Sequence, residues 1–144
     1  MIDRAPVSGA LQAMIAEATG RPCGLGALPV VNGKPAEVPY MVLYPLGGTV
    51  GGAPLANVSE DADLVYQLTS VAGRTDQAEW MADRGRRAVL ERTVSGVWRY
   101  PLEIPGVDVW GRGLEADDGS DTTASAEGIV TSSQRYRLSA TRSM

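Results

Sequence analysis

An α+β domain, a mixed and mostly antiparallel sheet of about five strands with two helices packed on one face, is predicted by three observations. Two stretches, 7–19 and 75–92, carry apolar residues at helical spacing. Five stretches read as extended, and 63–71 and 129–140 among them alternate apolar with polar side chains. Short connections such as Gly73 favour antiparallel neighbours with both helices on one sheet face. The order is α-β-β-β-α-β-β, with no internal repeat. A length of 144 residues fits a single domain, 1–144, large enough for one real core.

The first helix rests on Val7, Ala10, Leu11, Met14, Ile15 and Ala18, which form one apolar stripe. Pro6 fits its first turn, Gly20 its C-cap, and Pro22 bars continuation. Cys23 to Val30 is a weak strand, diluted by Gly24 and Gly26. Tyr40 to Leu46 carries apolar residues on both faces, as a strand buried on both sides does. Residues 47–62 read as a long Gly-rich loop, of a length that is usually functional or disordered. Asp63 to Val71 alternates Leu64, Tyr66 and Leu68 against Gln67 and Thr69.

The second helix is the strongest element. Thr75 or Asp76 is its expected cap, with Asp76 and Glu79 as a capping box. Its acids fall early and its arginines late, which complements the helix dipole, and Asp83 with Arg87 makes an i, i+4 pair. Ala78, Met81, Ala82, Gly85, Ala88 and Val89 are its buried stripe; such small residues place it close against the sheet. Val107 to Leu114 and Ile129 to Ala140 complete the strands. Between them Glu115 to Glu127 reads as an acidic loop with five acids and no base.

Composition excludes several classes. The chain is 44% hydrophobic and 21% charged, as globular proteins are, with a net charge of −4. Residues 1–72 carry three basic and six acidic groups and residues 73–144 ten and eleven, so neither half is the basic footprint of a nucleic-acid binder. Cys23 is the single cysteine, which rules out an intramolecular disulfide. There is no 18-residue apolar run and no signal-peptide pattern, so synthesis and folding in a reducing cytoplasm are expected, without a membrane partner. The sequon at Asn57 is then read as coincidental.

Catalytic chemistry is thin. The chain has no histidine, which removes Ser-His-Asp and Cys-His arrangements and the commonest metal ligand. Lys34 has no serine motif beside it, and Cys23 has no visible base and reads as a packing residue. Gly47 to Pro54 lacks the Gly-Lys-Ser/Thr ending of a phosphate loop. The cluster Asp117, Asp118 and Asp121 resembles a calcium loop, but Gly119 is misplaced for an EF-hand and no Glu falls twelve positions into the loop from Asp117 or Asp118. No enzyme, cofactor or metal is expected. Trp80 lies off the buried stripe of its helix; most such Trp residues are core, and an exposed one would mark a partner surface.

One stretch carries a family resemblance. Val65-Tyr66-Gln67-Leu68-Thr69-Ser70-Val71 is followed directly by Gly73-Arg74-Thr75-Asp76-Gln77-Ala78-Glu79-Trp80-Met81-Ala82-Asp83-Arg84. This is similar to the strand-to-helix signature of tail terminator proteins from phages with long non-contractile tails. Pro39-Tyr40-Met41-Val42 and the late pair Tyr136 and Leu138 also resemble that family. The likeness is sharp over residues 63–90 and looser, in element order only, over most of the chain.

The resemblance implies a structural protein of the virion. Such proteins form a six-fold ring on the last ring of the major tail tube protein. They stop tube growth, present the surface that joins the filled head through its connector or stopper, and let genomic DNA pass without specific binding. The alternatives are another head–tail connector ring, or a small ligand-binding domain or enzyme. Adaptors are mainly helical and stoppers mainly β-barrel, so the strong second helix weighs against both. Candidate contact residues are Arg84 and Arg87, expected on the outer side of the helix. Glu115, Asp117, Asp118 and Asp121 are the others, placed where they would line the channel or meet a partner ring.

Overall fold

The computed structural model describes residues 2–51, 61–121 and 128–142. In chain order the elements are α1 (Arg4–Thr19), β1 (Cys23–Leu25), β2 (Val30–Val31), β3 (Lys34–Pro35), β4 (Tyr40–Gly51), β5 (Asp61–Ala72), α2 (Thr75–Leu90), β6 (Val107–Asp121) and β7 (Val130–Arg142). The main sheet has the order β1-β4-β5-β7-β6. The β1–β4 pair is parallel and the other three are antiparallel. A small hairpin, β2–β3, stands apart from it.

Alternation on the central strands decides where the core lies. Even-numbered residues of β5, and of β7 as far as Ala140, are buried, and most odd-numbered ones are half-buried or exposed. Both helices cover the even face. Ser8 Oγ of α1 lies 2.8 Å from the Tyr66 hydroxyl. On α2, a Cβ added at Gly85 would stand 2.8 Å from Leu68 Cδ2. Tyr66 and Leu68 are two apart on β5 and therefore share a face. Leu11, Ile15, Met41, Leu43, Leu68, Met81 and Leu138 fill the layer between helices and sheet with almost no exposure. Full burial of such a side chain stabilises by about 1.5–3 kcal/mol.

The buried stripe of α2 is Ala78, Met81, Ala82, Gly85, Ala88 and Val89, as the sequence pattern predicts. Its start differs from the capping box. Arg74 is the N-cap and makes no side-chain cap, while Gln77 Oε1 accepts from the Gly73 N–H at 3.1 Å. The backbone turns one residue earlier than Thr75, which moves the reach-back role from Glu79 to Gln77. Asp83 pairs with Arg86 at 3.2 Å and not with Arg87.

The described parts of the two expected loops are strand. β4 continues past Leu46 to Gly51 and β5 starts at Asp61, so the two pair almost to the end of the described chain. Gly47 takes φ 86° at a bulge after Pro45, and any side chain at Gly48 would run into the backbone carbonyl of Asp63. The glycines that resemble a flexible loop are required by a bulge and a close strand approach. Residues 52–60, with Glu60 and the Asn57 sequon, lie outside the described residues.

The acidic segment Glu115 to Asp121 likewise belongs to β6, with 122–127 outside the described residues. Against β7 this strand shifts register three times, between Val109 and Gly111, Leu114 and Ala116, and Asp117 and Ser120. Each shift puts one more residue on β6 than on β7 and breaks the two-residue period. Further corrections are that the first strand ends at Leu25, and that among the described side chains of β4 only Met41–Leu43 are buried, with Tyr44 and Leu46 exposed.

Candidate interaction surfaces

The helix surface holds two arginine–tryptophan stacks, and each closes a helix C-terminus. Arg84 lies over the Trp80 ring, 4.8 Å from its centroid, and its Nη2 donates to the Thr19 carbonyl at the end of α1 (3.1 Å). Arg112, on β6, lies 4.7 Å from the Trp98 ring, and its Nη1 donates to the Val89 carbonyl near the end of α2 (3.2 Å). Arg92 stacks on the same Trp98 ring at 4.1 Å. Burial, then the nearby Arg92 charge, lowers the Arg112 pKa to about 10, so it stays protonated at neutral pH. Both cations sit where helix dipoles favour positive charge.

Arg84, expected on the outer side, is therefore half-buried and committed to the fold. Arg87 is exposed on the next turn, as expected. Trp80 remains 47% exposed, a flat aromatic surface backed by Arg84.

The acids of β6 divide by environment. Asp117 points to the helix side, where Oδ2 accepts from the Gln134 amide at 3.3 Å and Oδ1 from the Gly119 N–H at 3.0 Å. Gln134 is buried and takes a 2.6 Å hydrogen bond from the Tyr136 hydroxyl, so the carboxylate anchors a polar chain running into the core. Glu115 is bonded to Arg137, which also reaches Asp63 at 3.7 Å and thereby ties three adjacent strands together. Asp118 and Asp121 are exposed on the strand edge. A shallow hollow beside α2 is lined by Glu79, Asp83 and Asp117 with Ser120, Ser132 and Gln134. Asp83 and Asp117 already have partners within the chain, and no group of three or more metal-ligating side chains converges among the described residues.

The helix-free face of the sheet is polar and internally bonded. Ser139 donates to Asp63 at 2.7 Å, Thr141 to Asp61 at 2.6 Å, and Thr69 and Ser133 meet at 3.1 Å. Trp110, 58% exposed, donates its indole N–H to Thr141 Oγ1 at 3.0 Å.

The β2–β3 hairpin is a surface that the sequence reading passes over. Its turn, Asn32-Gly33, has both residues at positive φ, 53° and 78°, as a two-residue hairpin of this twist requires. The Asn-Gly pair between valines and Lys-Pro was the signal for it. Val30 and Val31 are 65% and 44% exposed. Beside them a hollow is lined by Arg21, Pro22, Lys34, Pro35 and Glu37. Arg21 is held in place by two bonds to the Pro39 carbonyl, at 2.9 and 2.8 Å.

Burial pushes the Cys23 thiol up to about 12, which leaves it a protonated packing group. No helix among the described residues is long and apolar enough to cross a membrane. No family model matches the chain, and no curated protein matches it.

Proposed function

We propose that the chain is a structural subunit of a long phage tail, a terminator that forms a six-membered ring at the head-proximal end of the tube. There it ends tube growth and offers the surface for head joining. The observation that carries this reading is the position of the stretch resembling that family. Residues 63–90 supply β5, the middle strand of the five, the turn at Gly73, and α2 laid across the sheet. The signature is thus the mechanical centre of the fold, and it leaves one polar sheet face and both sheet flanks to partners.

The surface chemistry agrees with a passive conduit. The helix-free face offers hydroxyls and carboxylates beside two arginines, of which Arg137 is neutralised by Glu115 and Asp63 and Arg135 is half-buried. Repeated six times, such acids set a field that keeps DNA phosphates from sticking.

Native mass spectrometry of the purified protein and electron microscopy of tails carrying it test the reading. A six-membered ring at the head-proximal tip is expected. A protein that stays monomeric and never associates with tail tubes would overturn it.

A further inference from the structure

We propose that neighbouring subunits join in one direction, with the β2–β3 hairpin flank of one copy seated on the β6 edge of the next. This rests on the ring reading above and names the surfaces that would build it.

The two surfaces stand at the same height on opposite sides of the sheet. One cross-strand row runs Leu25–Leu43–Leu68–Gln134–Asp117, from the β1 edge to the β6 edge. At its first end lies the hairpin, with Val30, Val31 and Leu28 (42%) exposed around the hollow that holds Arg21 and Lys34. At its other end β6 exposes Leu114 (39%) and, from Glu115 to Asp121, four acids without a base. Among the described residues each end exposes apolar side chains, three at the hairpin and Leu114 on β6. The charges beside these patches are opposite, with Glu115 paired to Arg137 and the three aspartates placed to face a partner's bases. Glu37 is the one acid lining the hairpin hollow, against two bases.

Because the two patches differ, the contact is head-to-tail, and such contacts close into rings when the rotation allows. The valines and Leu114 supply the apolar area, while the charges fix register and exclude a like-with-like pairing. The bulges of β6 keep the joint from being a simple strand addition, so side chains carry it.

The chain provides its own probe, since Lys34 is its only lysine. Carbodiimide joins amines to carboxylates in direct contact. Treated assemblies, digested and sequenced by mass spectrometry, are expected to show Lys34 of one copy bonded to Asp117, Asp118 or Asp121 of another. Lys34→Glu and Asp118→Lys should each weaken association by roughly tenfold or more, and the double exchange should restore it. Both positions are exposed, and unchanged thermal unfolding checks that the variants fold. If rings form but Lys34 bonds to a carboxylate outside 115–121, or to none, this interface is wrong while the ring stands. If no assembly forms in solution or on tails, the ring reading fails and this inference with it.

Discussion

The Arg84 guanidinium reaches across from the middle of α2 to the carbonyl of Thr19, the last residue of α1, at 3.1 Å. One side chain thus caps the first helix, clamps the two helices together and rests on Trp80. Arg84→Ala should cost about 1–2 kcal/mol, from a charge-assisted bond and a lost stack. Arg84→Lys should recover only part, because an ammonium lacks the planar face. Urea unfolding midpoints decide this; equal stability of all three chains would show that the clamp carries nothing.

Gly85 sets how closely α2 lies on the sheet. Gly85→Leu should overpack the contact with Leu68 and destabilise by about 1–3 kcal/mol. Gly85→Ala should be near neutral, since its single methyl meets the flexible end of Leu68 and the helix gains about 0.5–1 kcal/mol of propensity. Thermal melts of the two variants separate space from propensity.

Alkaline pH should loosen the fold. Burial raises the Cys23 thiol from 9.0 to about 12, and it also raises the Tyr66 and Tyr136 hydroxyls. Above pH 9 the unfolded chain releases the thiol proton while the folded chain keeps it, so stability is full below 9 and falls as pH climbs. The melting temperature should be flat from pH 7 to 8 and drop above 9, less steeply in Cys23→Ala. At pH 8 a thiol reagent should label Cys23 only after unfolding, and rapid native labelling would contradict its burial.

The acids of β6 should separate by role. Asp117→Asn weakens the chain through Gln134 to Tyr136 and should cost about 1 kcal/mol of stability. Asp118→Asn should leave stability unchanged. Changing Asp117, Asp118 and Asp121 to Asn together with Glu115 to Gln should weaken ring assembly, and in the rings that still form it should impair tail joining or DNA ejection. Joining lost points to a partner contact, ejection slowed with normal joining points to the channel, and both normal means that these acids serve neither.

Much of the fold was legible because its periods are clean. The stripe of α2 and the alternation of β5 each face a single environment, and the pattern names their buried residues correctly. What failed to read did so for local reasons. Gly47 and Gly48 look like a loop because a bulge and a close strand approach demand glycine. Glu115 to Asp121 looks like a loop because two of the three register shifts of β6 fall there and erase alternation. Arg84 could not be assigned from its own helix, since its partner Thr19 is 65 positions away. The Asn32-Gly33 hairpin was readable, and it carries the lysine on which the proposed joint turns.

The bulges of β6 have a bearing on handling the protein at high concentration. An outermost strand normally invites any extended peptide to add itself, and fifteen residues of open backbone would be a long invitation. Here the longest stretch in unbroken step with its neighbour is Gly111–Leu114, so a flat foreign strand could match four residues before its donors and acceptors fall out of phase. Fibril growth needs six or seven in register. The longer edge strand of the described sheet is therefore poorly matched to a fibril.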